Sequence, residues 1–119
     1  MLKRVVTVVQ VIVLGLTVFT AVELGVKDPA ALKISADVPA GELGKQIYGQ
    51  ACAGCHGPNG EGQYGPKLGG GAAVARFPDK ADEVRIVANG RGSMPAWSDT
   101  LKPAEIDAVV DYTRSGLLG

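Results

Sequence analysis

The stretch that most constrains this chain is Cys52-Ala53-Gly54-Cys55-His56. Two thiols three positions apart, followed at once by an imidazole, form the attachment spacing of c-type haem. Chemistry sets that spacing. Two cysteines on one short helical turn can add across the two vinyl groups of a single porphyrin, and the next imidazole is then held beneath the iron as an axial ligand. The rest of the chain has to accommodate a large flat group.

Competing uses of the five residues explain less. A zinc ribbon needs a second ligand pair, and the chain has 2 cysteines and 1 histidine in all. A thioredoxin-like dithiol belongs at the end of a strand in a βαβ unit, and nothing around Cys52 reads that way. A structural disulfide satisfies the cysteine count but leaves His56 and the glycine-rich chain after it unexplained.

At 119 residues there is room for one small domain. Twelve Lys+Arg balance 12 Asp+Glu, so no nucleic-acid partner is implied. Aromatic residues make up 5% and there are 17 glycines, a composition that builds a thin core. Small domains of this kind need a staple, and an enclosed porphyrin would supply one.

Met1 to Arg4 is a short basic head, and Val5 to Val22 then runs 18 residues without a charge. As a helix that run spans about 27 Å, close to a hydrocarbon core of roughly 30 Å. A cleaved signal peptide has a shorter apolar region and a small-x-small cleavage site. Here bulky Phe19 stands three positions before the best cut, after Ala21. The expectation is an uncleaved transmembrane anchor over 1–26. Lys3 and Arg4 orient it with the amino terminus cytoplasmic and the remainder on the periplasmic side. Residues 27–40, with two prolines before position 40 and mixed charge, read as a linker. Whether it stands free or lies as a cap on the domain is left open.

The domain proper, 41–119, reads as all-α. Gly41 to Ala53 has helical spacing, with Leu43, Ile47 and Ala51 on one stripe and Gly44, Tyr48 and Cys52 on the next. Gly44 beside the Tyr48 ring would let another helix cross closely. His56 to Gly71 is glycine and proline punctuation, a loop. Asp79 to Asn89 is a second helix with Val84, Val87 and Ala88 inward and Gly90 as its stop. Pro103 to Ser115 is the last, with Ile106, Val109, Val110 and Thr113 on one face. Pro103 suits its first position and Glu105 its positive end.

Between the last two helices lies Asn89-Gly-Arg-Gly-Ser-Met94-Pro-Ala-Trp97. A methionine in such a loop is ordinarily packing. A histidine-ligated iron needs a sixth ligand, however, and a thioether is a known partner. Met94 is therefore the second candidate iron ligand, with Pro95 fixing the chain direction after it.

These pieces resemble the class I monohaem cytochrome c family: CAGCH at 52–56, GPKL at 65–68, GRGSMPAW at 90–97 and KPAEIDAVVDYTRS at 102–115. The resemblance covers residues 41–118. It implies a small all-α fold wrapping one covalent haem c, with Cys52, Cys55, His56 and Met94 as its binding residues. It also implies first and last helices that cross near Gly44, Tyr48 and Tyr112, a Pro66 carbonyl that orients the His56 imidazole, and Trp97 against a haem propionate. Lys102 departs from the family, which usually has Ser or Thr there as a helix cap. Losing that cap costs about 1 kcal/mol.

With iron held on both sides, one-electron exchange is the expected chemistry, in a carrier rather than an enzyme. A thioether ligand raises the potential. The expected role is a membrane-anchored carrier between a quinol-oxidising complex and an oxidase or photosynthetic reaction centre. The alternative is a fixed haem subunit of a larger membrane oxidoreductase, and a third reading, gas sensing or peroxidase activity, requires Met94 to leave.

Overall fold

The structure is a computed structural model that describes residues 32–34 and 37–117. The apolar run 5–22, and the anchor expected of it, lie outside those residues. Among the described residues no helix is long and apolar enough to cross a membrane.

The first helical stretch continues three residues past the end expected from its spacing. α1 spans Ala40–Ile47, a π turn follows at Tyr48–Cys52, and α2 completes it at Ala53–His56. The widened turn falls immediately before and within the two-cysteine motif, and such π turns recur at functional sites. A short helix that the sequence reading missed, α3, occupies Ala72–Arg76. α4 spans Lys80–Asn89, capped by Asp79, whose carboxylate accepts the Ala81 backbone N–H at 2.9 Å, and it stops at Gly90. α5 spans Pro103–Asp111 and passes into a second π turn at Tyr112–Gly116. The Lys102 departure is partly made good: the Glu105 carboxylate accepts the Lys102 backbone N–H at 2.7 Å, half of a capping box.

The core forms where α1 meets α5. Ile47, Tyr48, Val109 and Val110 are all within 1% of full burial there. Gly44 permits the approach. A Cβ on it would fall inside contact distance of the Ala108 carbonyl and 2.8 Å from the Tyr112 Cβ. Tyr48 and Tyr112 meet with ring centroids 5.5 Å apart and tilted by 53°, a favourable aromatic geometry. Part of the segment expected as a linker also rests on the domain. Leu32 and Ile34 pack against the core, and Gln50 holds the Lys33 backbone through two hydrogen bonds of 3.0 and 3.2 Å.

The Tyr48 hydroxyl donates to the Gly57 carbonyl at 2.7 Å. Tyr48→Phe strands that carbonyl, at a cost of about 1–3 kcal/mol. Burial, the main cause, also pushes the phenol from 10.0 up to about 12. A folded-state pKa raised in this way gives stability that is whole below the unfolded value and is lost as pH rises through the folded one. Urea midpoints should therefore fall for the parent between about pH 10 and 12. Tyr48→Phe should lack that component; an identical alkaline decline in the variant assigns it elsewhere.

Candidate cofactor site

A cavity of about 740 Å³ opens beside this core. That is within the roughly 300–1,000 Å³ typical of small-molecule and cofactor sites. Every candidate ligand lines it: Cys52, Cys55, His56 and Met94. The end of the first helical stretch supplies the first three, and the loop after α4 supplies the fourth. Val109, Val110, Ile86 and Val87 make much of the wall apolar.

His56 is 7% exposed, and its Nδ1 lies 2.8 Å from the Pro66 carbonyl oxygen. A carbonyl only accepts, so Nδ1 carries the proton. A neutral imidazole then presents its lone pair at Nε2, the form that binds a metal. The glycine-rich loop builds this arrangement from its own backbone: Gly65 N–H donates to the Cys55 carbonyl and Gly62 N–H to the His56 carbonyl, both at 2.8 Å. Leu117 pins the far end by accepting the Gly70 N–H at 2.7 Å. Contacts within the chain thus shape the glycine-rich loop.

Gly65 has to be glycine for the ring to lie where it does. A Cβ there would stand 2.7 Å from His56 Cε1 and 2.8 Å from Nδ1. Gly65→Ala should displace the ring and break its bond to Pro66, at about 1–3 kcal/mol of overpacking. Urea denaturation together with the His56 ring resonances would test this; unchanged resonances in the variant would contradict the contact.

Neither Cys52, half-buried, nor Cys55, exposed, is in a disulfide. Burial first, and then neighbouring Cys55, push the Cys52 thiol up to about 11. Met94 is half-buried and held by a tight turn in which Arg91 and Met94 exchange two backbone hydrogen bonds of 3.1 Å. Trp97 N–H reaches back to the Val87 and Ala88 carbonyls at 3.1 and 3.2 Å, fastening that loop to α4. Trp97 also lines the cavity.

The sequence reading missed one group. Glu83 is the buried residue of α4, 4% exposed, while Val84, Val87 and Ala88, expected inward, are half-buried and pack against the core. It lines the cavity, and its carboxylate is bound by partners described below.

Comparison with known proteins agrees with this geometry. The family described as cytochrome c oxidase, cbb3-type, subunit III matches residues 39–112. The cbb3-type cytochrome c oxidase subunit FixP of Azorhizobium caulinodans is 39% identical over 82 residues, which are 66% of this chain and 28% of that protein. Chloroplastic cytochrome c6 of Chlamydomonas reinhardtii is 36% identical over 74 residues, 59% of this chain and 50% of that one. The chain thus spans less than a third of the oxidase subunit and half of the cytochrome c6. The crystal structure of cytochrome cL from Methylophaga aminisulfidivorans superposes with a TM-score of 0.57 at 28% identity, covering 67% of this chain and 55% of that one. Cytochrome c relatives imply haem c, and the pairing of two thiols, a metal-ready imidazole and a thioether around one apolar cavity fits that group. With more than half its length matched and its helical fold shared with a solved cytochrome c, the chain belongs to the class I cytochromes c, in the family of cbb3-type cytochrome c oxidase subunit III.

Proposed function

We propose that this chain is a one-electron carrier whose cavity holds one haem c, joined by thioether bonds to Cys52 and Cys55 and ligated by His56 and Met94. The bound group supplies the ferric–ferrous couple. The protein contributes position and environment. The Pro66 carbonyl fixes the His56 tautomer, and the 91–94 turn and the Trp97 anchor hold Met94 on the cavity wall. Apolar Val109, Val110 and Ile86 keep water from the wall. Were His56 and Met94 both to hold the metal, substrate chemistry there would be disfavoured and electron exchange would remain. The 2.8 Å bond between His56 and Pro66 is the observation that carries this reading, because it presents a metal-binding nitrogen to a cavity already lined by two thiols and a thioether.

Residues 1–26 anchor the chain in the membrane, amino terminus inside, with the haem domain on the periplasmic face. The carrier then accepts electrons from a quinol-oxidising complex and delivers them to an oxidase or reaction centre. The match to the oxidase subunit III family favours a second reading, a fixed haem subunit of a membrane oxidase. Native-gel haem staining of detergent-solubilised membranes separates the two. A single small haem-staining band is expected for the carrier; comigration with a large complex would replace it by the subunit reading. No haem stain at either position would contradict both.

A further inference from the structure

Electron transfer as described leaves one buried charge unused. Glu83 lies on the cavity wall with both carboxylate oxygens engaged. The Thr113 hydroxyl donates to Oε1 at 2.5 Å, and Arg114 Nη1 donates to Oε2 at 3.1 Å. Arg114 is itself tied down, donating to the Phe77 carbonyl at 2.7 Å and the Pro78 carbonyl at 3.3 Å. Glu83 and Thr113 line the cavity, and Arg114 is not among the residues that do. Among the described residues, Glu83 is the one carboxylate of a wall that also includes Arg76 and Arg91.

Stability does not account for this arrangement. Burying an ion pair costs desolvation that the mutual attraction roughly repays, and apolar residues of similar volume often serve as well. A buried carboxylate does project a field, because the protein interior screens it far less than water.

We propose that the Glu83–Arg114 pair sets the reduction potential of the centre held in the cavity, the carboxylate lowering it and the guanidinium moderating that effect. The proposal rests on the haem reading above. One-electron reduction of ferric to ferrous iron lowers the charge of the site by one, so a fixed anion nearby favours the oxidised form. Glu83 acts through its field, without touching the iron.

The test uses the haem-loaded parent, Glu83→Gln and Arg114→Gln, each first checked for haem per chain by absorption and for folding by thermal unfolding, then titrated for midpoint potential. Glu83→Gln keeps the shape and removes the charge. Its potential should rise by the equivalent of about tenfold in the ferric–ferrous equilibrium, about 59 mV for a one-electron couple. Arg114→Gln leaves the carboxylate less compensated, so its potential should fall. Loosened packing would move both variants the same way; opposite signs mark an effect of charge. A folded, loaded Glu83→Gln with the parent's potential overturns the proposal, as do two shifts of the same sign. Should Arg114→Gln fail to fold, Glu83→Gln alone decides. A parent that takes up no haem overturns the underlying reading, and this proposal with it, at the loading step.

Discussion

Gly44→Ala is expected to lose about 2 kcal/mol or more of folding stability, despite introducing the better helix former. The local helix gains about 1 kcal/mol from the change. Against that, the new methyl would collide with the Ala108 carbonyl and lie 2.8 Å from the Tyr112 Cβ. Those are backbone and Cβ atoms, so no rotamer change relieves the clash. α1 and α5 have to move apart, and overpacking of that kind costs about 1–3 kcal/mol, occasionally more. Separation also loosens Ile47, Tyr48, Val109 and Val110, the most deeply buried large side chains. Burying each such aliphatic side chain is worth about 1.5–3 kcal/mol, so a small opening outweighs the gain in propensity. Urea denaturation of the two proteins reads the difference directly. A variant as stable as the parent would mean that the helices do not cross at Gly44.

Met94→Ala carries the largest functional effect. In the proposed site Met94 would hold the iron through its thioether and raise the potential. Truncation to a methyl leaves the thioether's place to water or an added ligand. The reduced variant should bind carbon monoxide readily at neutral pH, where the parent does not, and its midpoint potential should fall. Absorption spectra with and without carbon monoxide, followed by a redox titration, provide both readouts. If the variant's spectrum matched the parent's, Met94 would be packing and the sixth ligand would have to be sought elsewhere.

Much of the site was legible because its residues are rare and their order carries chemistry. His56 is the only histidine in the chain, and Met94 the only methionine besides the first residue. The last helix was equally plain, since Ile106, Val109, Val110 and Thr113 repeat at helical spacing and are all buried. Glu83 was hidden by its neighbours. Between Asp82 and Arg85 it reads as part of a solvated face, and its burial depends on Arg114, which is 31 positions away in sequence. The π turns escaped notice for a related reason. Their residues, Tyr48–Cys52 and Tyr112–Gly116, carry no local signal for a widened turn, and both lie next to the Tyr48–Tyr112 contact where helices cross. α3 was lost because Ala72–Arg76 is too short to show a period and follows three glycines. The docking of Leu32 and Ile34 could not be read from two isolated apolar residues, since the amide that holds Lys33 belongs to Gln50.

Every proposed role of this chain requires one haem bonded through sulfur to Cys52 and Cys55. Intact-mass measurement of the chain, produced in a host that attaches c-type haem, tests it most directly. The parent should carry the added mass of one haem that survives acid–acetone extraction, and Cys52→Ser combined with Cys55→Ser should show the bare chain mass. A parent found at the bare chain mass, or one that gives up its haem to extraction, would contradict the central claim.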